Sequence, residues 1–228
     1  MQKLSNTQYR ETFDRVAGRY DEVSNSYAVN RRVELLVSWA KGDCLEVGAG
    51  TGVISRQLKP RHKVIATDIS PNMVNAIKQN LGIEAYPCDA ESLPFPDASF
   101  DTVIASECIY YLNHPERFIQ EARRVLRPQG RLLISSANTI CRIYEDLRSV
   151  LRHLGFRHMY FEDPNRTFFS AKKLSDMLQN GGFQMLQLHK IIVLPFAGAD
   201  QLNRWLERTP LRHGGVFIVL WAEKIEKK

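Results

Sequence analysis

Three glycines at alternate positions follow a short apolar run in the stretch Asp43-Cys44-Leu45-Glu46-Val47-Gly48-Ala49-Gly50-Thr51-Gly52. Glycine admits positive φ and removes the Cβ that would keep a ligand away from the backbone. Cys44, Leu45 and Val47 suit a buried strand of a parallel sheet. Val53 to Leu58 continue with apolar residues at helical spacing until Pro60 stops the run. A strand, a tight glycine turn and a helix N-terminus form a nucleotide site at the carboxyl edge of a parallel sheet. Asp68 ends the next apolar run, about 20 residues past the first glycine, where a carboxylate can accept hydrogen bonds from both ribose hydroxyls. Ser70-Pro71 already supply a cap and a first-turn proline for the following helix, which leaves Asp68 free for a ligand. The spacing Glu-x-Gly-x-Gly-x-Gly differs from the dinucleotide fingerprint G-x-G-x-x-G, which needs a glycine where this chain has Val53. A nucleoside cofactor, a dinucleotide and an empty glycine turn all remain open on these residues.

The elements that must hold this stretch can be read from periodicity. Residues 7–40 read as helical: Tyr9, Phe13, Val16, Ala17 and Tyr20 recur at spacings of three and four, and a second amphipathic run covers Val29 to Trp39. Lys63 to Thr67 is a second strand. Asn72 to Asn80 is a helix closed by Gly82, and the residues before Pro87 form a short third strand with Asp89 and Ala90 past its end. Thr102 to Ala105 is a fourth strand. His114-Pro115-Glu116 opens a helix with a buried stripe of Phe118, Ile119, Ala122, Val125 and Leu126. Arg127 to Gly130 is expected to turn into a fifth strand, Arg131 to Ser136. The alternation βαβαβαβαβ predicts an α/β fold, a doubly wound parallel sheet. Beyond it, Ile140 to Leu154 and Ala171 to Asn180 read as helices, Phe183 to Phe196 as a long strand, Asp200 to Arg208 as a helix and Val216 to Lys224 as a last strand.

The chain has 228 residues, enough for one domain that buries roughly 70–75% of its unfolded surface. It carries no run of about 18 apolar residues, so no transmembrane segment is expected, and its start lacks the apolar core of a signal peptide. Cys44, Cys88, Cys108 and Cys141 show no metal-ligand spacing, which makes zinc an unlikely ligand and reduced thiols in a cytoplasm the simpler expectation. The net charge of +6 is scattered over pairs such as Arg31-Arg32, Arg123-Arg124 and Lys172-Lys173. With no basic stripe interleaved with aromatics, a nucleic-acid partner is not expected. No internal repeat or low-complexity linker divides the chain, so 1–228 is read as one domain.

The Glu46-x-Gly-x-Gly-x-Gly stretch resembles the first motif of class I S-adenosylmethionine (SAM)-dependent methyltransferases. Leu93-Pro94-Phe95-Pro96-Asp97-Ala98-Ser99-Phe100-Asp101 is similar to the loop before the fourth strand in their type 11 group, and Phe13 to Asp21 to their N-terminal segment. The resemblance covers nearly the whole chain and is weakest in 137–170 and at the N-terminus. It implies a Rossmann-like, mostly parallel seven-stranded sheet with an antiparallel last strand, a helical N-terminal lid over 1–40 and an acceptor-side insertion over 137–170. It implies SAM as cofactor, S-adenosylhomocysteine as product and methyl transfer to a small organic acceptor through O, N or C. By the same resemblance Tyr20 meets the cofactor carboxylate, Glu46 holds the loop and the methionine end, and the backbone at Gly48, Ala49 and Gly50 passes close by. Asp68 meets the ribose, Ile69 is a further cofactor contact, Met73 packs near the adenine, Asp89 and Ala90 meet its amino group and ring, and Ser106 and Tyr111 stand where the methyl would lie. A general base is needed only if the acceptor must lose a proton. The candidates are His114, His153, His158, Glu107, Tyr110 and Tyr111. Tyr110, Tyr111, Phe156, Phe168 and Phe169 could line an apolar acceptor pocket or pack a lid. A dehydrogenase, an RNA methyltransferase and a non-catalytic SAM-binding subunit are the alternatives. Oligomeric state is not legible.

Overall fold

The computed structural model describes residues 4–17, 26–142, 167–192, 194 and 199–226. Two helices come first, α1 (Asn6–Val16) and α2 (Ser26–Trp39), followed by β1 (Cys44–Val47), α3 (Val53–Leu58), β2 (Val64–Asp68), α4 (Pro71–Leu81) and β3 (Glu84–Pro87). Then come β4 (Phe100–Ser106), a 3₁₀ turn at Ile109–Tyr111, α5 (Pro115–Val125), β5 (Leu126–Ala137), α6 (Ala171–Asn180) and β6 (Phe183–Ile191). The last elements are α7 (Asp200–Leu206), a 3₁₀ turn at Pro210–Gly214 and β7 (Phe217–Lys224).

The seven strands form one sheet in the order β3-β2-β1-β4-β5-β7-β6. The pairs β1–β2, β1–β4, β2–β3 and β4–β5 are parallel, while β7 runs antiparallel to both β5 and β6. The sheet is therefore Rossmann-like, with the antiparallel seventh strand that the resemblance implied. Strand residues alternate between two cores, as a period of two requires. Val103, Ala105, Leu132, Ile134, Ile218 and Leu220 face one core with Phe118 and Ile119 of α5 and Leu174 and Leu178 of α6. Ile104, Leu133 and Val219 face the other, with Leu36 of α2 and Ile54 and Leu58 of α3.

Local signals fix the elements around the glycine turn. Ser70 Oγ accepts from Met73 N at 3.1 Å, Pro71 opens α4, and Gly82 closes it in the left-handed conformation. The apolar stripe Met73, Val74, Ile77 and Leu81 is buried. On α5, Arg124 donates to Glu121, Asp97 and the carbonyls of Leu93 and Phe95, pinning the proline-rich loop that precedes β4.

Three boundaries differ from expectation. The strand expected over Phe183 to Phe196 ends at Ile191, because Ile192 takes a φ of +59° and gives its N–H to Glu207 Oε1. The helix expected to reach Arg208 stops at Leu206, where Arg208 N and Thr209 N bond three residues back and Pro210 follows. The turn expected at Arg127 to Gly130 is absorbed into β5 as an irregularity. Phe100 pairs with Leu126 and Thr102 with Arg131, and Gln129 sits at a φ of +58° between them. The N-terminal run is two helices, and the expected helix over Ile140 to Leu154 falls mostly outside the described residues.

The turn between β1 and α3 has little tolerance for a side chain. Gly52 has a φ of +80°, and a Cβ there would lie 2.7 Å from Leu81 Cδ1 and 3.2 Å from Ile77 Cγ1. Gly52→Ala is expected to cost roughly 1–3 kcal/mol of stability. Urea unfolding of the two proteins measures this, and an unchanged midpoint would mean that α4 yields to the added methyl.

Candidate active site

A cleft opens at the carboxyl ends of β1, β2, β3 and β4. Its floor is the glycine turn: Gly48 and Gly50 line it, with φ of +65° and +55°. A Cβ at Gly48 would come within 2.6 Å of Cys108 Cβ, so only glycine fits between β1 and the residue after β4.

Behind the turn stands Glu46, 3% exposed, whose Oε2 accepts from Ser55 N at 2.9 Å and from Ser55 Oγ. These bonds tie β1 to the first turn of α3. Burial pushes the Glu46 carboxyl up to about 7, against the two Ser55 donors, and the nearby charge of Asp68 adds to the rise. Glu46 and Ala49 are not among the residues lining the cleft. Ala49 packs with Ala66, Val74 and Ile77 and gives its N–H to Thr67 O.

Asp68 ends β2 and lines the cleft. Its Oδ2 accepts from Gly50 N at 2.8 Å and its Oδ1 from Ser70 N at 2.9 Å. The carboxylate thus joins the glycine turn to the start of α4, and each oxygen keeps a further lone pair for a ligand. Burial raises its pKa and the backbone donors oppose the rise. Ile69 and Met73 line the same wall.

Asp89 and Ala90 lie past β3 and line the far side. Asp89 Oδ1 accepts from Glu91 N at 2.9 Å, and its Oδ2 from the Asn6 side-chain amide at 2.6 Å. Asn6 also accepts from Asn113 Nδ2 at 2.7 Å. Helix α1 therefore crosses the cleft, and Asn6, Tyr9 and Phe13 line it from above. The other end of α1 is tied down by Asp14, which accepts from Ser70 Oγ and, at 3.2 Å, from Asn72 N.

On the β4 side the lining residues are Ser106, Glu107, Cys108, Tyr111 and Leu112. The Tyr111 ring lies 5.4 Å from Tyr9 and 5.2 Å from Phe13, both edge-on, so α1 seats on an aromatic cluster. Glu107 has a φ of +56°, a strained conformation for a residue with a Cβ. Its side chain accepts from Ser135 Oγ at 2.8 Å and Tyr110 Oη at 3.2 Å, and Arg32 Nε stands 3.9 Å away.

Of the candidate bases, Glu107 and Tyr111 line the cleft. His114 is exposed at the start of α5, makes no side-chain cap bond and is not among the lining residues. Tyr110 is buried with its hydroxyl on Glu107. Of the aromatics, Phe169 is 1% exposed in the core between β5 and α6, with Phe168 packed beside it. Tyr20, His153, His158 and Phe156 lie outside the described residues. Sequence reasoning did not single out Asn6. The Ser5-x-x-Gln8 capping box marks the start of α1, yet nothing local says that this first turn meets Asp89, 83 residues on.

Comparison with known proteins adds an independent line. A family model described as a methyltransferase domain matches residues 45–134, the span from the glycine turn to β5. An uncharacterized protein of Methanocaldococcus jannaschii is 30% identical over 93% of this chain and 98% of its own length. A demethylmenaquinone methyltransferase of Tropheryma whipplei is 29% identical over 77% of this chain and 83% of its own. Among solved structures, a SAM-dependent methyltransferase of Thermotoga maritima superposes with a TM-score of 0.69 at 22% identity, covering 93% of this chain and 98% of that one.

The raised Glu46 carboxyl has a measurable consequence. Between about 4.5 and 7 the folded protein holds a proton that the unfolded chain has released, so this contribution is present in full below pH 4.5 and lost as pH rises through 7. The loss is on the order of 1–3 kcal/mol. Glu46→Gln is expected to flatten the fall in unfolding free energy between pH 5 and pH 8, with denaturant curves at the two pH values as the measurement. Equal slopes in both proteins would mean that Glu46 is ionised throughout.

Proposed function

The chain belongs to the class I SAM-dependent methyltransferases, and from that membership we propose that it moves a methyl group from SAM to a small apolar acceptor at the ends of β4 and β5. The observation that carries this reading is the charge of the cleft. Asp68, Asp89 and Glu107 line it, Glu46 stands behind it, and no lysine, arginine or histidine is among the described lining residues. SAM brings a cationic sulfur, an ammonium group, a ribose diol and an amino-bearing base, each of which such a wall attracts, against a single carboxylate, so that its net charge is positive. A dinucleotide brings a pyrophosphate, which the same wall repels.

When bound, the cofactor supplies an electrophilic methyl group on a leaving sulfur. The free lone pairs of Asp68 would take the ribose hydroxyls, and the backbone at Gly48 and Gly50 would lie against the methionine portion. Asp89 and the Ala90 N–H would hold the adenine edge, with Ile69 and Met73 beside its ring. Ser106 and Tyr111 face the reacting end. Helix α1, latched through Asn6 and Asp14, is the lid that excludes water. Holding acceptor, methyl and sulfur in line can supply about 7–11 kcal/mol of the barrier, so positioning is the main contribution.

Glu107 is the group that takes the acceptor's proton as the new bond forms. Ser135, Tyr110 and Arg32 hold its carboxylate in place at the wall of the cleft. Tyr9, Phe13, Tyr111 and Leu112 give the mouth an apolar lining, and the Tropheryma relative is named a demethylmenaquinone methyltransferase. Together they support an apolar, ring-bearing acceptor.

Calorimetric titration with S-adenosylhomocysteine, beside NAD, tests the cofactor. Micromolar affinity for the first alone is expected. Asp68→Ala should weaken it roughly ten- to a hundred-fold, and binding of NAD alone would overturn the reading. For the acceptor, release of S-adenosylhomocysteine is to be followed with short-chain hydroquinones. Glu107→Gln should lower kcat about 10²–10⁴-fold while leaving cofactor affinity nearly unchanged, and an unaltered kcat would remove Glu107 from the proton's path.

A further inference from the structure

The connection between β6 and β7 carries a surface that the chemistry of the cleft does not use. Helix α7 and the following 3₁₀ turn touch each other and present their large apolar side chains outward. Leu202 is 48% exposed, Trp205 59% and Leu211 59%. Leu202 and Trp205 are three residues apart and share a face of α7. The opposite side of α7 is firmly seated. Leu206 is buried, and buried Asn203 exchanges two hydrogen bonds of 2.8 Å with the backbone of Leu194. The exposed tryptophan and leucines are thus held by a rigid support.

The charges around this face are mostly basic, with Asp200 the exposed acid at the start of α7. Arg204, Arg208, Arg212 and His213 are exposed along it. Glu207, which would offset them, is turned inward. Its side chain is 6% exposed and bonds Arg31 Nε at 2.9 Å and Ile192 N at 3.1 Å. Arg204 reaches Glu34 at 3.8 Å, whereas Arg208 and Arg212 have no acidic partner among the described residues. An indole and two leucines ringed by arginines match the boundary of an anionic bilayer, where an amphipathic ring sits at headgroup level and guanidinium groups meet phosphates. A protein partner would need matching acids and a matched apolar pocket. A bilayer needs neither.

The position fits as well. Ala137 of β5 pairs with Phe217 of β7, and Phe217 with Ile191 of β6. The connection therefore leaves the sheet at the same carboxyl edge as the cleft. We propose that the α7–3₁₀ surface docks the protein, peripherally and reversibly, on membranes rich in anionic lipid, with Trp205 and Leu211 as the inserted residues and Arg208 and Arg212 as headgroup contacts. The docking rests on this surface alone. That it brings the cleft to a membrane-borne acceptor rests on the function proposed above.

Co-sedimentation with phosphatidylglycerol–phosphatidylcholine vesicles, without cofactor or acceptor, tests it. The protein is expected to pellet with anionic vesicles, weakly with phosphatidylcholine alone, and less at about 0.5 M salt. Each arginine near an anionic surface strengthens binding about fivefold, so Arg208→Glu with Arg212→Glu should weaken it 25-fold or more. Trp205→Ala with Leu211→Ala should do the same at any salt. In the unaltered protein, brominated lipid should quench tryptophan emission, and Trp205→Phe should abolish the quenching while Trp39 and Trp221 remain. Circular dichroism and melting temperature establish that each variant is folded. Failure of the unaltered protein to pellet, equal pelleting of folded variants, or quenching that survives Trp205→Phe would each overturn the proposal. So would a Trp205-dependent dimer without vesicle binding, which would assign the face to a second copy of the chain. Because the vesicles hold only lipid, these results stand whether or not S-adenosylhomocysteine binds.

Discussion

The carboxylate of Asp68 is the constraint on which the cleft depends. One oxygen holds the amide of Gly50 and the other the amide of Ser70, so the turn after β1 and the entry to α4 cannot move apart. The same residue's carbonyl accepts from Cys88 N and so anchors the exit of β3. Three crossovers meet at one residue, two at its side chain and one at its carbonyl. Its charge is buried, which is unfavourable alone, and the backbone amides of Gly50, Ser70 and Ile69 offset that cost. The arrangement is the usual one for a parallel sheet: strand ends that cannot pair with each other are joined through a polar side chain at the edge where a ligand enters.

A second consequence is electrostatic. Glu46 and Asp68 are both buried, and burial raises the affinity of each for protons, with the charge of Asp68 adding to the rise at Glu46 and that of Asp14 to the rise at Asp68. Asp68, Asp89 and Glu107 line the cleft with no basic residue among the described lining residues, which suits a ligand that carries positive charge. Three of the four cysteines fit the same environment. Burial pushes Cys88 up to about 11 and Cys44 up to about 12, and Cys108, packed against Gly48, higher still. They are neutral packing groups at neutral pH, with Cys108 filling the space that Gly48 leaves.

Much of this was legible in the chain. Apolar runs gave β1, β2 and β4, and turn chemistry at Ser70-Pro71 and His114-Pro115 gave the starts of α4 and α5. The glycine spacing marked the floor of the cleft, since a backbone that must run at positive φ leaves a direct trace in residue type. Other features leave none. Ile192 adopts positive φ because Glu207 and Val216 capture its backbone, an event that depends on residues 15 and 24 positions away. The strained Glu107 has no glycine to announce it. Asn6 reaches Asp89 only once the sheet is assembled, and the aromatic seat of α1 unites Tyr9, Phe13 and Tyr111 from opposite ends of the cofactor half. Long-range contacts between exposed or strained groups carry no periodicity, which is why these positions escaped.

The seventh strand is late in sequence but interior in the sheet. Residues 217–224 lie between β5 and β6 and pair with both. Until that segment has been synthesised, one whole edge of β5 stays unpaired, with Leu132 and Ile134 lacking the neighbours that Leu220 and Ala222 provide. An unpaired, apolar strand edge invites pairing with other chains. The half of the sheet that holds the glycine turn can collapse early on local crossovers, while the other half waits for its final piece. During translation, the nascent chain is thus most prone to association in the interval between the emergence of β5 and that of β7, long after the cofactor half is in place.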